Sequence, residues 1–315
     1  MTTKPPEQTT AHSNRAAIDW LLDSDPSIRW QVMRDLTGEP AETVAAERSR
    51  VGSDGWGARL LALQGPDGKW GDGIHAPQWQ ATLNAMVLLR DMGLDPASAS
   101  AQKMLDLVRQ KVTWGPEFGD SPFFEGEVEP CINGRVLALG SYFGSPSDRL
   151  ADRLLSEQLE DGGWNCEAPQ SKRSSFHSTI CVLEGLLAYE KTRGAHPAVT
   201  EARLRAQEYL LERRLLRRLS TGEVIDIFWK RFSYPTTWHY DVLRGLDYLR
   251  SAGVELDKRL TEAVELVEQG QNQNGQWPLQ NPHHDPLNFV MEGPAGTPSR
   301  WNTLRALRVL DWYSA

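Results

Sequence analysis

Cys131, His177 and His239 are the residues of this chain whose types best suit a metal site. Each stands near the start of one of three consecutive segments of similar pattern, so a repeated fold would bring them to equivalent places. One thiolate with two imidazoles suits zinc and leaves a fourth position open. Cys166 is an alternative to Cys131 as the third ligand. Without a metal, Cys131 would be a small core residue and both histidines would be hydrogen-bonded pocket linings.

A second group of reactive side chains is acidic and lies just before Cys131. Glu125, Glu127 and Glu129 are spaced by two, which on an extended segment directs their carboxylates to one side. Such a set could bind a cation or act as a general acid, whereas the alternative is an exposed acidic loop. The candidate catalytic residues are Glu127, Glu129, His239, Tyr240 and Asp241.

Further polar and aromatic side chains lie close to the same segment starts. We expect them to bind substrate, because helix N-termini gather at one rim of a helical ring and favour anions. Glu292 and Arg300 could form a buried pair or grip an anionic substrate, since guanidinium matches a planar carboxylate or phosphate. The candidate substrate-binding residues are Trp79, Asn133, Arg135, Phe176, Trp238, Glu292, Arg300 and Trp301.

Two alternating series of helices must position these side chains. Six segments that each begin with a large residue start near positions 30, 79, 131, 177, 238 and 301 and are apolar on more than one face, which predicts buried inner helices. The helices between them carry more charge and are expected to lie outside. Asp25 with Pro26 predicts the cap and first turn of the earliest inner helix.

The phrase Gln-x-x-x-Gly-x-Trp occurs three times, at residues 64–70, 158–164 and 271–277. Each copy follows a helical run and ends it with turn-forming residues, because glycine can take the left-handed conformation that closes a helix. The tryptophan is too large to stay in water and should pack on a neighbouring repeat. We interpret the phrase as a structural motif that holds adjacent stacked units together.

The repeated phrase and the alternating helices resemble the terpenoid cyclase and protein prenyltransferase superfamily, over roughly residues 15 to 315. This resemblance implies an all-α fold, an (α/α)6 toroid of about six helical-hairpin repeats around a central cavity. Protein prenyltransferases hold zinc with Asp, Cys and His; His239 stands where their histidine would be, and His177 stands near the place of their Asp-x-Cys. That Asp-x-Cys is lacking here, as are the Asp-x-Asp-Asp acid motif and the Asp-rich helix of the cyclases.

The composition favours a cytoplasmic protein with one toroid domain, residues 15–315, after a disordered polar tail, residues 1–14. Without a signal peptide, the three cysteines are not expected to form disulfides. The net charge of −8 disfavours nucleic-acid binding, and no apolar stretch reaches the length of an integral membrane segment. Phosphate-loop and dinucleotide-binding motifs are absent, so no nucleotide cofactor is expected.

Two functions follow as hypotheses. The first is a prenyltransferase-like or terpenoid-cyclase-like transferase or isomerase that binds a hydrophobic, isoprenoid-type substrate in the central cavity, with zinc or an acid at the polar rim. Aromatic faces would stabilise developing carbocations there. The second is a binding or scaffold protein that keeps the toroid without chemistry. The enzyme hypothesis requires the rim residues Cys131, His177 and His239 to lie close together, whereas the scaffold hypothesis does not.

Overall fold

The computed structural model describes residues 15–71, 78–283 and 290–314, and the side chains of residues 78–80 lie outside that description. The predicted tail at residues 1–14 also lies outside it. In the described part of the chain, regular secondary structure is helical apart from isolated β-bridges. The α-helices are α1 (residues 15–22), α2 (Pro26–Asp35), α3 (Ala41–Ser49), α4 (Gly55–Ala62), α5 (Gln78–Met92), α6 (Ala99–Lys111), α7 (Pro130–Tyr142), α8 (Asp148–Ser156), α9 (Phe176–Arg193), α10 (Pro197–Glu212), α11 (Val242–Ser251), α12 (Thr261–Gln269) and α13 (Arg300–Ser314).

The helices form an inner and an outer layer. Helices α2, α5, α7, α9, α11 and α13 are the inner layer; in α7 every residue from Pro130 to Ser141 is buried. The outer helix α8 buries only Leu150, Ala151 and Leu154, a single stripe. This difference follows from composition, because a helix that is apolar on several faces is stable only when other elements cover all of those faces.

The inner layer closes into a ring. Each inner helix contacts the next one along the chain, and α13 returns to contact α2. At this last junction Arg308 donates to the side chain of Gln31 at 2.8 Å and forms an ion pair with Asp35. The all-α toroid predicted from the sequence is confirmed. No helix in the described residues is both long and apolar enough to cross a bilayer.

Helices α7 and α9 make the closest contact in the ring. A Cβ atom at Gly134 would lie 2.5 Å from the carbonyl oxygen of Cys181, and one at Gly185 would lie closer still to the carbonyl oxygen of Gly134. Both distances are below van der Waals contact, so only glycine permits this approach. The contact brings the N-terminal ends of α7 and α9 side by side.

The Gln-x-x-x-Gly-x-Trp copies repeat one set of contacts at the ends of outer helices. The indole N–H of Trp70, Trp164 and Trp277 donates to the carbonyl of Leu60, Leu154 and Val267 respectively, at 2.6 to 2.8 Å. The amide of Gln158 donates to Gly162 within its own turn and to Ala202 in the next outer helix. Each indole is fully buried. The phrase therefore fastens the connections to their neighbours and lies away from the axis.

The fifth inner helix begins later than the sequence predicts. A start near residue 238 is wrong by about four residues, because α11 begins at Val242 with Asp241 as its N-cap. The carboxylate of Asp241 accepts from the N–H groups of Ser233 and Arg244, which holds the preceding segment, residues 233–241, as a loop. Arg244 and Arg305 donate to carbonyls of that loop, so it is fixed against the inner helices.

Candidate active site at the N-terminal rim

A pocket of about 390 Å³ lies at the N-terminal ends of α7 and α9, and we call it the rim pocket. Its wall combines thiols, two carboxylates, a guanidinium, an imidazole and apolar surface. The lining residues are Glu129, Cys131, Ile132, Arg135, Asn165, Cys166, Glu167, Ser175, His177, Ser178 and Trp238. Glu129, Cys131, Arg135, His177 and Trp238 were predicted as site residues, so the structure brings these five together.

Glu129, Cys131 and Cys166 place one ligand atom each within 4.8 Å of one another. The Cys131 thiol donates to Glu129 at 3.5 Å. Sulfur ligands around tetrahedral zinc lie roughly 3.8 Å apart, given Zn–S bonds of about 2.3 Å, so this set fits such an ion with small movements. It differs from the predicted set, since Cys166 joins Cys131 and a carboxylate replaces both histidines.

The two thiols of the rim pocket have pKa values that are shifted in opposite directions. A hydrogen bond from Cys131 lowers the pKa of Cys166, while the same bond and burial raise the pKa of Cys131. The hydroxyl of Ser178 also lies 3.2 Å from the sulfur of Cys166 and supports its thiolate form. Cys166 reaches this position because the connection after α8 folds back over the start of α9, where its N–H donates to Ser178.

His177 faces the rim pocket as a hydrogen-bond donor. Its Nδ1 atom accepts from the backbone N–H of Tyr240 at 2.8 Å. Burial, with a smaller effect of Arg244, lowers the pKa of His177 to about 4, so the ring is neutral at pH 7. A neutral imidazole that accepts at Nδ1 carries its proton on Nε2 and has no lone pair there for a metal. Among the described residues, His177 is not part of the set of ligand atoms that converge in this pocket.

His239 lies in an aromatic stack. Its ring packs between Trp238, at 3.8 Å, and His283, at 3.5 Å between centroids. Its Nδ1 atom is 2.9 Å from the hydroxyl of Thr237. Burial, followed by the neighbouring His283 and His177, lowers the pKa of His239 to about 3. Within the described residues His239 is not part of the rim-pocket lining.

The three glutamates of the acidic segment before α7 have different surroundings. Glu125 pairs with Arg149 on the surface at 2.7 Å. Glu127 is buried, accepts the N–H groups of Val128 and Glu129, and has a pKa raised by burial. Asn133 holds the same segment, accepting from the N–H of Glu127 and donating to its carbonyl. Of the three carboxylates, Glu129 is the one that reaches the rim pocket.

Tyr240, Asp241 and Phe176 are placed in the surrounding framework. The hydroxyl of Tyr240 donates to the carbonyl of Leu215 at 2.8 Å, and burial raises its pKa. Phe176 packs against Tyr240 and Trp229 with centroids 4.9 and 4.6 Å apart. Asp241 is the α11 cap described above. Among the described residues, none of the three lines the rim pocket.

The predicted residues near α13 lie on another side of the ring. Glu292 accepts from the N–H of Trp301 at 3.1 Å, and burial raises the pKa of Glu292. Arg300 donates to the carbonyl of Asp23 and lies over the ring of Trp20. The ion pairs seen in the described part of the chain do not include one between Glu292 and Arg300. The side chain of Trp79 lies outside the described residues.

A second cavity of about 460 Å³ follows the axis of the ring, and we call it the central cavity. All six inner helices contribute to its wall, together with the loop at residues 233–241. Trp301 and Tyr234 stack there with centroids 4.4 Å apart. Arg135 lines both the central cavity and the rim pocket.

The central cavity carries an excess of positive charge. Its arginines are Arg34, Arg48, Arg90, Arg135, Arg244, Arg305 and Arg308. The described lining holds three carboxylates, Asp91, Glu184 and Asp247, which leaves an excess of four positive charges. Asp35 and Asp241, close to Arg308 and Arg305, reduce it to two.

Apart from Arg135, sequence reasoning missed these arginines. The available signal was a charged residue recurring inside helices that are otherwise apolar on several faces, as with Arg90, Arg244 and Arg305. A buried arginine needs acceptors, so its repeated presence indicates a polar axis.

Comparison with known proteins gives a partial match to a terpenoid cyclase. No family model matches the chain. Over 111 residues, 33% of this chain, the sequence is 34% identical to lanosterol synthase from Homo sapiens, and the match spans 14% of that protein.

Solved structures give weaker likenesses over the whole length. The type II terpene cyclase MstE from Scytonema, in its apo form, has a TM-score of 0.49 and 18% identity, covering 97% of this chain and 98% of that chain. A protein from Actinoplanes has a TM-score of 0.48 and 17% identity, covering 97% of this chain and 100% of that chain. Because these scores are below 0.5, the architecture rests on the helix contacts of this chain. The predicted resemblance is thus confirmed as a likeness to terpenoid cyclases, carried by the lanosterol synthase match over 33% of the chain.

Proposed function

We propose that this chain is a terpenoid-cyclase-like enzyme that acts on an isoprenoid-type substrate at the rim pocket, with a zinc ion held by Glu129, Cys131 and Cys166. The convergence of these three side chains on one pocket carries the proposal. The partial likeness to lanosterol synthase supports the substrate class. The charged wall of the central cavity disfavours a bare hydrocarbon there, so the proposed reaction site moves from the axis to the rim.

The thiol pair fits zinc because one of its two thiols, Cys166, has a lowered pKa. Cys131 would give up its proton when both sulfurs bind a divalent ion. A bound zinc ion would supply Lewis acidity and a fourth position for a substrate oxygen or sulfur atom.

The remaining rim-pocket residues would bind and orient the substrate. The Nε2–H of His177 would donate to a substrate oxygen, and its bond to Tyr240 fixes the ring. The faces of Trp238 and Ile132 offer apolar surface for an isoprenoid chain. An indole face also stabilises positive charge that develops on a prenyl carbon.

Metal content tests the first part of this proposal. Protein purified without a His tag is expected to contain about one zinc per chain by inductively coupled plasma mass spectrometry. Cys166→Ala and Glu129→Gln should lower zinc affinity at least tenfold, because each removes a ligand. Cys181→Ala is the matched control, since Cys181 lies outside the metal set. Wild-type protein without zinc, or equal zinc in the Cys166→Ala variant, would contradict this assignment.

Turnover tests the second part. Zinc-loaded protein is incubated with linear polyprenes and with prenyl diphosphates plus thiol, hydroxyl or aromatic acceptors, and products are detected by mass spectrometry. We expect a product that wild-type protein and Cys181→Ala form and Cys166→Ala does not. Tight binding of an isoprenoid without any product would instead favour a non-catalytic binding protein.

A further inference from the structure

Two of the three cysteines of this chain meet in the rim pocket. The sulfur atoms of Cys131 and Cys166 lie within 4.8 Å of each other, and both residues are free thiols. A disulfide joins sulfur atoms about 2.05 Å apart. Rotation about the two Cα–Cβ bonds, together with small shifts of the connection after α8, can close the remaining gap. The pair is therefore placed to form a covalent bond as well as to bind a metal.

The backbone around the two cysteines is held in this arrangement from both sides. Cys131 stands in the first turn of α7, which the glycine contact holds against α9. The connection that carries Cys166 is fastened to the start of α9, where the N–H of Trp164 donates to Thr179 and that of Cys166 donates to Ser178. The fold, and not closeness in the sequence, thus brings the two thiols together.

The two thiols differ in their access to small molecules. Cys166 is partly exposed and Cys131 is buried, although both line the pocket of about 390 Å³. The hydroxyl of Ser178 lies 3.2 Å from the Cys166 sulfur and can donate to it, which favours the thiolate that reacts with oxidants. An accessible thiol beside a second thiol is the arrangement of a redox-sensitive cysteine and its resolving partner.

The third cysteine has separate surroundings. Cys181 is fully buried, and its sulfur contacts the carbonyl of Trp238 and the guanidinium of Arg244, both at 3.7 Å. It is not part of the group of ligand atoms that converge in the rim pocket. Cys181 therefore provides an internal reference for the reactivity of the other two.

We propose that Cys131 and Cys166 form a reversible disulfide when the protein meets hydrogen peroxide, with Cys166 as the attacking thiol and Cys131 as the resolving thiol. The inference goes beyond the proposed function because the bond forms without a metal. Sulfur atoms that are bonded to each other cannot act as thiolate ligands, so the disulfide state and the zinc-bound state exclude each other. The sequence-based expectation of reduced cysteines concerns the resting chain, whereas this bond requires an added oxidant.

The reaction takes place in two steps. The Cys166 thiolate attacks one oxygen of hydrogen peroxide, so that an S–O bond forms, the O–O bond breaks, and hydroxide leaves and takes up the proton that Cys166 had lost. The sulfur is oxidised to a sulfenic acid and the peroxide is reduced. Cys131 then gives its proton to Glu129, to which its thiol donates at 3.5 Å, and attacks the Cys166 sulfur. The S–S bond forms, the S–O bond breaks, and the leaving hydroxide takes the proton from Glu129 to become water.

Mass spectrometry of the folded protein after oxidation tests the proposal. Chelator-treated wild-type protein is exposed to hydrogen peroxide and then unfolded, and its remaining thiols are alkylated before digestion. We expect a monomer with one alkylated thiol, Cys181, and a cross-linked peptide that contains Cys131 and Cys166. Reduced glutathione should restore alkylation of all three cysteines. A cross-link to Cys181, or conversion of Cys166 to sulfinic acid without a cross-link, would overturn the proposal.

Cys131→Ala tests which thiol attacks and which resolves. Without a second thiol, Cys166 should be oxidised further, to the sulfinic acid, under conditions that give the disulfide in wild type. Cys181→Ala is the matched control and should form the Cys131–Cys166 bond as fast as wild type. Cys166 that stays a free thiol in the Cys131→Ala protein would show that it is not the attacking residue, and the assignment would fail.

Oxidation of the unfolded chain tests whether the fold selects the pair. In concentrated urea Cys166 should bond preferentially to Cys181, its nearer neighbour in the sequence, because closing a shorter loop costs less entropy. In buffer the bond to Cys131 should dominate. The same preference for Cys131 in both conditions would mean that the geometry of the rim pocket does not determine the pairing, and the proposal would fall.

Zinc separates this inference from the proposed function. In zinc-loaded protein the disulfide should form about tenfold more slowly or less, and each bond formed should release one zinc ion, detected with a chelating dye. Oxidised protein that binds zinc as tightly as reduced protein would contradict the exclusion of one state by the other. If the protein binds no zinc, the proposed metal site fails, while the cross-link in chelator-treated protein still decides the inference.

Discussion

His177 is an uncharged side chain in a place where protonation costs free energy. Its pKa of about 4, lowered by burial and then by Arg244, lies below the ordinary value of 6.5. The unfolded chain therefore binds a proton at His177 at a higher pH than the folded chain does. Stability from this group is complete above pH 6.5 and declines as pH falls towards 4.

We predict that the free energy of unfolding falls by about 1–2 kcal/mol between pH 7 and pH 5 because of His177. His177→Gln should make the slope shallower by about this amount, since the amide oxygen can accept the N–H of Tyr240 and does not titrate. The buried His239, whose pKa is also lowered, supplies the slope that remains. Urea unfolding at stepped pH measures both. His196→Gln, at an exposed position, should keep the wild-type slope. A slope that is equally steep in His177→Gln would contradict the prediction.

At the residue scale, the sequence identified side chains by their place at helix starts. Cys131, His177 and Trp238 were found this way because a repeat makes their positions equivalent. The partnership of Glu129 with Cys166 could not be found, since it depends on how the connection after α8 folds back. The tautomer of His177 depends on the N–H of Tyr240, 63 residues away in the chain, and no local pattern encodes such a contact.

At the scale of the elements, the close contact between α7 and α9 depends on two glycines, Gly134 and Gly185. Gly→Ala inside a helix ordinarily stabilises a protein by reducing the entropy of the unfolded chain. At Gly185 the new Cβ would overlap the carbonyl oxygen of Gly134, so the helices must separate. The expected sign is therefore the opposite of the ordinary one.

We predict that Gly185→Ala lowers the free energy of unfolding by about 1–3 kcal/mol and that Gly185→Ser lowers it further. Chemical denaturation measures both. The same variants should weaken zinc binding, because Cys131 and Ser178 stand at the starts of these two helices. A Gly185→Ala protein more stable than wild type would show that the helices are not in close contact.

The sequence predicted elements well where periodicity was strong and less well where a cap decided the boundary. Asp25 accepts from the N–H of Ser27 at 2.8 Å, as expected from Asp25-Pro26. The start of α11 was misplaced because Trp238 looks like the large first residue of the other inner helices. Asp241, four residues before Gly245, is the residue that sets the boundary through its two accepted N–H groups.

For the molecule as a whole, closure depends on the junction between α13 and α2. Asp35 accepts from Arg34 and Arg308; burial opposes its ionisation, but these arginines outweigh burial and lower its pKa. Removing the carboxylate would leave Arg308 buried without its counter-charge. That loss costs far more than the loss of an exposed ion pair.

We predict that Asp35→Asn lowers the free energy of unfolding by about 3 kcal/mol. Asp54→Asn breaks an exposed pair with Arg50 and should change stability little. Hydrogen exchange should show faster exchange in α13 and α2 of the Asp35→Asn protein before the rest of the ring. Equal stability in the two variants would mean that the junction does not hold the ring closed.

The whole-molecule architecture could be predicted because three copies of one phrase and six apolar segments leave few arrangements for the helices. What fills the axis could not be predicted in the same way. Whether Arg90 or Arg305 faces the axis, a neighbour or solvent depends on the rotation of each helix within the ring, which its own sequence does not determine.

The junctions between inner helices also bear on how the chain finds its fold. Gln31 donates to the carbonyl of Asp91, Arg135 to Asn84 and Arg244 to Glu184, whereas α7 and α9 meet through glycine. These four junctions differ from one another, and the junction between α13 and α2 is again an arginine–carboxylate pair, Arg308 with Asp35. A helix inserted out of turn would bury a charge with no counterpart, so misassembled rings are penalised. We expect this cost of burying an unpaired charge to favour the correct order of the inner helices during folding. A toroid whose junctions are all apolar should instead refold into a mixture of helix arrangements.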